Sequence, residues 1–141
     1  MCSSDLYDCG DIMNGLSSES YVVGQLVATS RLLYWHLGIV TDRWERGEQV
    51  VISCSNRQQR VVEERMSVFA QGSLIERRQA LSNLSGGQAV MRARTKLGQA
   101  YNLLDWNCEH FVYYAFGLNP ESPQIGRAIL LGLAGVVIKS Q

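Results

Sequence analysis

Asn107-Cys108-Glu109-His110-Phe111 is the stretch of this chain best equipped for covalent chemistry, and a partner for it lies about seventy residues upstream in Trp35-His36-Leu37-Gly38-Ile39. A thiol becomes a useful nucleophile when its pKa is lowered, most often by a helix N-terminus beside an imidazole. Asn107 is a favourable N-cap, so Cys108 should fall in a first helical turn, where free N–H groups and the helix dipole favour a thiolate. The other histidine, His110, is two residues beyond Cys108, about 200° around a helix axis. It should point away from the thiol and act as a packed, hydrogen-bonded structural residue. His36 is then the candidate base.

The elements that must position these residues are read from apolar spacing. Tyr21-Val22-Val23 and Leu26-Val27-Ala28 flank Gly24-Gln25, which predicts a short strand with a bulge at the glycine. Leu33 to Val40 and Gln49 to Cys54 predict two more strands, with Thr41 to Glu48 as a hairpin loop. Side chains two apart share a strand face. Trp35, Leu37 and Ile39 therefore form one apolar face, with His36 and Gly38 on the other, where the glycine lets a helix approach beside the imidazole. In the next strand Val50, Ile52 and Cys54 share a face opposite Val51, Ser53 and Ser55. With the larger faces as core, Ser53 lies near His36, and Cys54 lies on the wrong face to partner it.

Further along, Arg60 to Glu64 and Ser73 to Arg77 read as strands joined by one helical turn over Met66 to Ala70, which Gly72 ends. Leu81 to Gly87 is a turn region, and Gln88 to Leu97 a helix stopped by Gly98. A loop then leads to the Cys108 helix, on which Phe111, Val112 and Ala115 share the cysteine's side. The expected fold is α+β, a small antiparallel sheet of four or five strands packed against the Cys108 helix and its predecessor. Residues 1–19, rich in Ser and Asp, read as a flexible arm, residues 20–120 as the domain, and residues 121–141 as an apolar C-terminal helix.

The 141 residues suffice for one domain with a real core. Net charge is zero but unevenly spread: residues 1–56 carry three basic and seven acidic side chains, and residues 57–100 eight basic and three acidic. This basic island, with Arg57, Arg60, Arg77 and Arg78, is either a solvated face or a contact for phosphates of lipid head groups or RNA. Cys2, Cys9, Cys54 and Cys108 match neither a zinc ligand set nor a disulfide framework, and the polar, acidic start is unlike a secretory signal. The expected setting is a reducing cytoplasm, with peripheral membrane contact. Ala128 to Ile138, eleven uncharged and mostly apolar residues, is about half a membrane span. It reads as a buried or partner-binding helix, or as an interfacial one. Exchange of that helix between two copies would give a homo-oligomer.

The chain resembles the H-box/NC group of permuted papain-like proteins, which includes lecithin:retinol acyltransferase, the HRAS-like suppressor phospholipase/acyltransferases, bacterial relatives and picornaviral proteins. The matching stretches are Gly24 to Ala28, Tyr34 to Ile39, Val51 to Ser53, Val61 to Glu63, Phe69 to Gly72, Ala93-Arg94, Leu97-Gly98, Tyr101 and Asn107 to Phe111. The histidine precedes the cysteine, the reverse of papain order. The resemblance implies an LRAT-like fold and thioester chemistry without metal or organic cofactor: Cys108 attacks a phospholipid acyl ester, His36 takes the proton, and an acyl-cysteine forms. Backbone N–H groups at the helix start would hold the oxyanion. Cellular members usually carry a polar third residue, often histidine, one strand after the base; Ser53 stands there, a poorer partner for an imidazolium. The terminal Gln141, a residue picornaviral main proteases leave behind, together with Ser53 and the short chain favours the viral branch.

Two readings follow. In one, the chain is a thiol acyl hydrolase or acyltransferase on phospholipid esters, with a peptidase or amidase as a lesser variant. In the other, it keeps the scaffold but works in viral genome replication as an interaction module for a host protein, membrane or RNA.

Overall fold

Strand-forming runs dominate the first half of the domain, and they pair into one sheet. A computed structural model describes residues 20–118; the expected N-terminal arm and apolar C-terminal helix lie outside the described residues. The elements are β1 (Leu26–Ser30), β2 (Trp35–Glu45), β3 (Glu48–Ser55), β4 (Arg60–Arg65), α1 (Met66–Ala70), β5 (Ile75–Arg78), α2 (Gly86–Arg94) and α3 (Cys108–Ala115). The sheet order is β4-β3-β2-β1-β5, with every neighbouring pair antiparallel. The fold is thus α+β, as the alternation predicts.

Both sheet faces are covered. One carries Leu26, Ala28, Leu37, Ile39, Ile52, Cys54 and Val61, packed under Ala89, Val90 and Ala93 of α2 and Cys108, Phe111, Val112 and Ala115 of α3. Val27, Val40 and Val51 lie on the other face, under Phe69 of α1. Burying a large apolar side chain contributes roughly 1.5–3 kcal/mol, so the α2–α3 side, with more such residues, supplies most of the core. The helix that Gly38 admits is α1. A Cβ at Gly38 would stand 2.5 Å from Val51 Cγ1 and 2.7 Å from Phe69 Cε1.

Several boundaries differ from the sequence reading. Tyr21 to Val23 is not a strand and Gly24 is not a bulge. This segment turns at Gly24 (φ 91°), whose N–H bonds the Val40 carbonyl and whose Cα leaves no room for a side chain against Gly86. The expected loop at residues 41–48 is mostly strand. Trp44 pairs Gln49 and Glu45 pairs Glu48, and only Arg46-Gly47 turn, at φ 50° and 80°. Polar side chains mask strand character when the ladder runs beyond the core into solvent. The second helix begins earlier than expected because Ser85 caps it. The Ser85 hydroxyl accepts from the Gln88 N–H, and the Gln88 side chain accepts from the Ser85 N–H, a capping box readable as Ser-x-x-Gln. The strand expected at residues 73–77 starts at Ile75 and pairs with β1, across the sheet from β4.

Candidate active site

Cys108 is the first residue of α3. The Asn107 side chain accepts hydrogen bonds from the N–H groups of Glu109 (2.9 Å) and His110 (3.1 Å), and His110 Nδ1 accepts from the Asn107 N–H (3.3 Å). His110 is therefore the structural histidine its spacing predicts, with a particular duty in the cap. The box engages the N–H groups of Asn107, Glu109 and His110, and that of Cys108 stands outside it.

The thiol is buried against the backbone of β2, with its Sγ 3.9 Å from the Trp35 carbonyl oxygen. Burial pushes the Cys108 thiol up to about 11, with Glu109 adding to the rise; the Leu37 N–H, Cys108's own N–H and Arg31 oppose it. At neutral pH the sulfur keeps its proton. The helix start favours a thiolate, but desolvation outweighs it here.

His36 is the second residue of β2 and is buried, with its ring 5.0 Å from that of Phe69. The ring thus packs on the α1 side of the sheet, whereas Cys108 packs on the α2–α3 side with Leu37 and Ile39. Burial, followed by the charges of Arg31 and Arg57, lowers His36 to about 3, so the imidazole is neutral. Its Nδ1 is buried without a hydrogen-bond partner, as is Ser53 Oγ. Ser53 lies on His36's face. By the Ile39–Ile52 pairing the residue across from it is Gly38, which makes His36 a diagonal neighbour.

The two faces meet at one end of the sheet. Cys108 and His36 both line a cavity of about 490 Å³, together with Leu32, Leu33, Tyr34, Cys54, Asn56, Tyr101, Leu103, Asn107 and Glu109. Chemically this is an apolar chamber with a thiol, an imidazole and a few polar groups on its wall. No hydrogen bond joins Cys108, His36 and Ser53 to one another among the described residues.

Two further residues stand near the site. Cys54 donates to the Trp106 carbonyl oxygen at 3.5 Å, and burial and the nearby Cys108 push its thiol up to about 12. The signal was present, since Cys54 shares the core face with Ile52 and Cys108 faces the same core. Arg31 gave no such signal. Its guanidinium donates to the Phe69 (2.7 Å) and Ala70 (3.5 Å) carbonyls at the end of α1, which holds it near the cavity.

The expected basic island is divided. Arg57 and Arg60 flank the start of β4, while Arg77 and Arg78 lie on β5, the opposite edge of the sheet. Four strand spacings of about 4.8 Å separate the pairs. Arg57 faces Glu64 at 3.5 Å, Arg78 faces Glu76 at 2.8 Å, and Arg77 covers the Tyr21 ring at 4.3 Å. Among the described residues no His, Cys, Asp and Glu side chains gather as a metal site, and no helix is long and apolar enough to cross a membrane.

A buried thiol at a capped helix start, packed on an antiparallel sheet whose second strand brings a histidine earlier in the chain, is consistent with the permuted papain-like fold that the resemblance implies. The family model for lecithin retinol acyltransferase matches residues 19–118. The chain belongs to that family. No individual curated protein matches it.

Proposed function

We propose that the chain is a thiol acyl hydrolase or acyltransferase acting on phospholipid esters through an acyl-cysteine, with Cys108 as nucleophile, His36 as general base and Ser53 as a positioning residue for the imidazole. The observation that carries this reading is the shared apolar cavity of about 490 Å³ onto which both Cys108 and His36 open. Leucine and tyrosine walls suit an acyl chain better than a peptide. The thiol sulfur attacks the ester carbonyl while His36 accepts the thiol proton. The tetrahedral intermediate collapses, the C–O bond breaks, and His36 returns the proton to the departing alkoxide. Water or an acceptor alcohol or amine then attacks the thioester, and the thiol is regenerated. The Cys108 N–H, outside the capping box, is available as a donor for the oxyanion. Because thiol and imidazole both rest neutral, proton transfer accompanies attack rather than preceding it.

The test is intact-mass analysis after incubation with a short-chain phosphatidylcholine. A mass increase of one acyl group that hydroxylamine removes is expected, absent in Cys108→Ala and slowed about 10²–10⁴-fold in His36→Gln. An adduct of unchanged yield in Cys108→Ala would sink the assignment.

A second reading has its own support. The neutral pair and the unpartnered Ser53 Oγ suit a weak or inactive dyad, with the domain serving as an interaction module of the picornaviral type. Under that reading Cys108→Ala is silent. Charge reversal at Arg57 and Arg60, or at Arg77 and Arg78, then impairs function, and the two sheet edges are tested separately.

A further inference from the structure

Two tight turns border the mouth of the Cys108 cavity, and each carries a pair of adjacent leucines in solvent. Leu32 and Leu33 lie between β1 and β2, 89 % and 66 % exposed; Leu103 and Leu104 lie in the loop before α3, 69 % and 80 % exposed. Single exposed apolar residues are ordinary on any surface. Leu32, Leu33 and Leu103 line that opening, and with Leu104 next in the chain they form the kind of patch that marks an interaction site.

Neither turn is loose. The Arg31 N–H donates to the Tyr34 carbonyl at 2.8 Å, closing the first. Asn102 and Trp106 exchange backbone hydrogen bonds of 2.9 and 2.8 Å across the second, while Asn102 Oδ1 accepts from the N–H groups of Leu104 and Asp105. Backbone pairing therefore holds the leucines outward in advance of any partner.

Cations stand at the same end of the molecule. Arg31 is anchored on the α1 carbonyls at the base of the first turn, and Arg57 is half exposed beside Glu64. The charges of both bear on His36 at the cavity wall. Asp105 on the second turn, Glu109 on the cavity wall and Glu64 beside Arg57 are the acidic groups at this end. Leucine tips with guanidinium groups at their base match the layering of a bilayer surface, in which acyl chains lie beneath a plane of phosphates. Ester carbonyls lie between those layers, at the depth of a cavity opening between the leucine tips.

We propose that the Leu32–Leu33 and Leu103–Leu104 turns form a docking rim that inserts into the surface of a glycerophospholipid bilayer and presents the cavity mouth to it. The proposal rests on the acyl-transfer reading for what enters the cavity, and is tested through binding alone. The full chain is co-sedimented with vesicles of phosphatidylcholine containing a minority of phosphatidylserine, as wild type, Leu32→Ser/Leu104→Ser, Trp44→Ser and Cys108→Ser. Trp44 is the control, exposed near the far end of β2. Loss of the two leucine anchors should weaken partitioning about tenfold or more, with Trp44→Ser within about twofold of wild type. Cys108→Ser should bind normally, so a failed acyl-enzyme assay leaves this result standing. Equal partitioning of wild type and the double leucine variant would overturn the rim, as would an equal loss in Trp44→Ser. A wild type that ignores vesicles, including one that forms a dimer the leucine variant dissolves, would overturn it as well. Far-UV circular dichroism checks that each variant is folded.

Discussion

The two faces of the sheet handle their reactive groups in opposite ways. On the α2–α3 face, Cys108 and Cys54 lie in continuous apolar packing, with each sulfur near a backbone carbonyl oxygen. On the α1 face, four buried apolar side chains share the space with buried His36, Ser53 and Thr29. Thr29 is satisfied by the Ala70 carbonyl, whereas His36 Nδ1 and Ser53 Oγ have no partner. An unpaired buried polar atom costs roughly 1–3 kcal/mol. The thiol face has one such atom too, Trp106 Nε1; the histidine face has two, an imidazole and a hydroxyl on neighbouring strands, a pattern seen where polar groups are kept for chemistry rather than for packing.

The largest expected effect on this contrast comes from Phe69, the fully buried aromatic on the thinner face, which touches both the His36 ring and the space at Gly38. Phe69→Ala should lower unfolding free energy by about 3–5 kcal/mol, measured by urea denaturation. A loss below about 1 kcal/mol would mean that the α1 face is not a true core.

His36 sharpens the contrast through pH. Its folded pKa lies near 3 against an ordinary 6.5. Between those values the unfolded chain takes a proton that the folded chain refuses. The contribution is complete above pH 6.5 and is lost as pH falls toward 3, at about 1.4 kcal/mol per pH unit in mid-window. Urea midpoints of wild type should drop more steeply from pH 7 to pH 5 than those of His36→Gln. Parallel profiles would show that the imidazole is not buried neutral.

The smallest effect concerns the thiol face. Asn107→Ala removes the acceptor for two N–H groups and should cost about 1 kcal/mol. Cys108 in the native chain should be alkylated slowly at pH 7, like Cys54, since burial holds both thiols protonated. Urea denaturation checks the first statement, and iodoacetamide labelling read by mass spectrometry the second. Rapid labelling of Cys108 below pH 6 would reverse the assignment of a neutral resting thiol.

Much of the arrangement was legible before any coordinates. The Asn107 cap, the inward cysteine, His110 turned away from the thiol and the division of β2 into Leu37–Ile39 and His36–Gly38 faces all follow from local rules, because capping and alternation act within a few residues; that His110 itself closes the cap came only with the structure. The hairpin at Arg46-Gly47 was less legible. Its strands carry Asp42, Arg43, Glu45 and Glu48 past the edge of the core, and charged residues on a solvated ladder look like loop. The turn at Gly24 was hidden for a different reason, since its cause is Gly86, sixty-two residues away.

What the sequence determined by itself is which residues share a face or begin a helix: Cys108 at a capped N-terminus, His36 off the apolar side of its strand, Ser53 on the same side one strand later. Only the tertiary structure decided what covers each face. It put Phe69 over His36, Cys54 beside Cys108, β5 next to β1 with its arginines across the sheet from Arg57 and Arg60, and Leu32, Leu33 and Leu103 around one mouth. Periodicity carries the direction of a side chain relative to its own backbone, but the neighbour it meets depends on strand order and crossover, and those are set by packing between segments far apart in the chain.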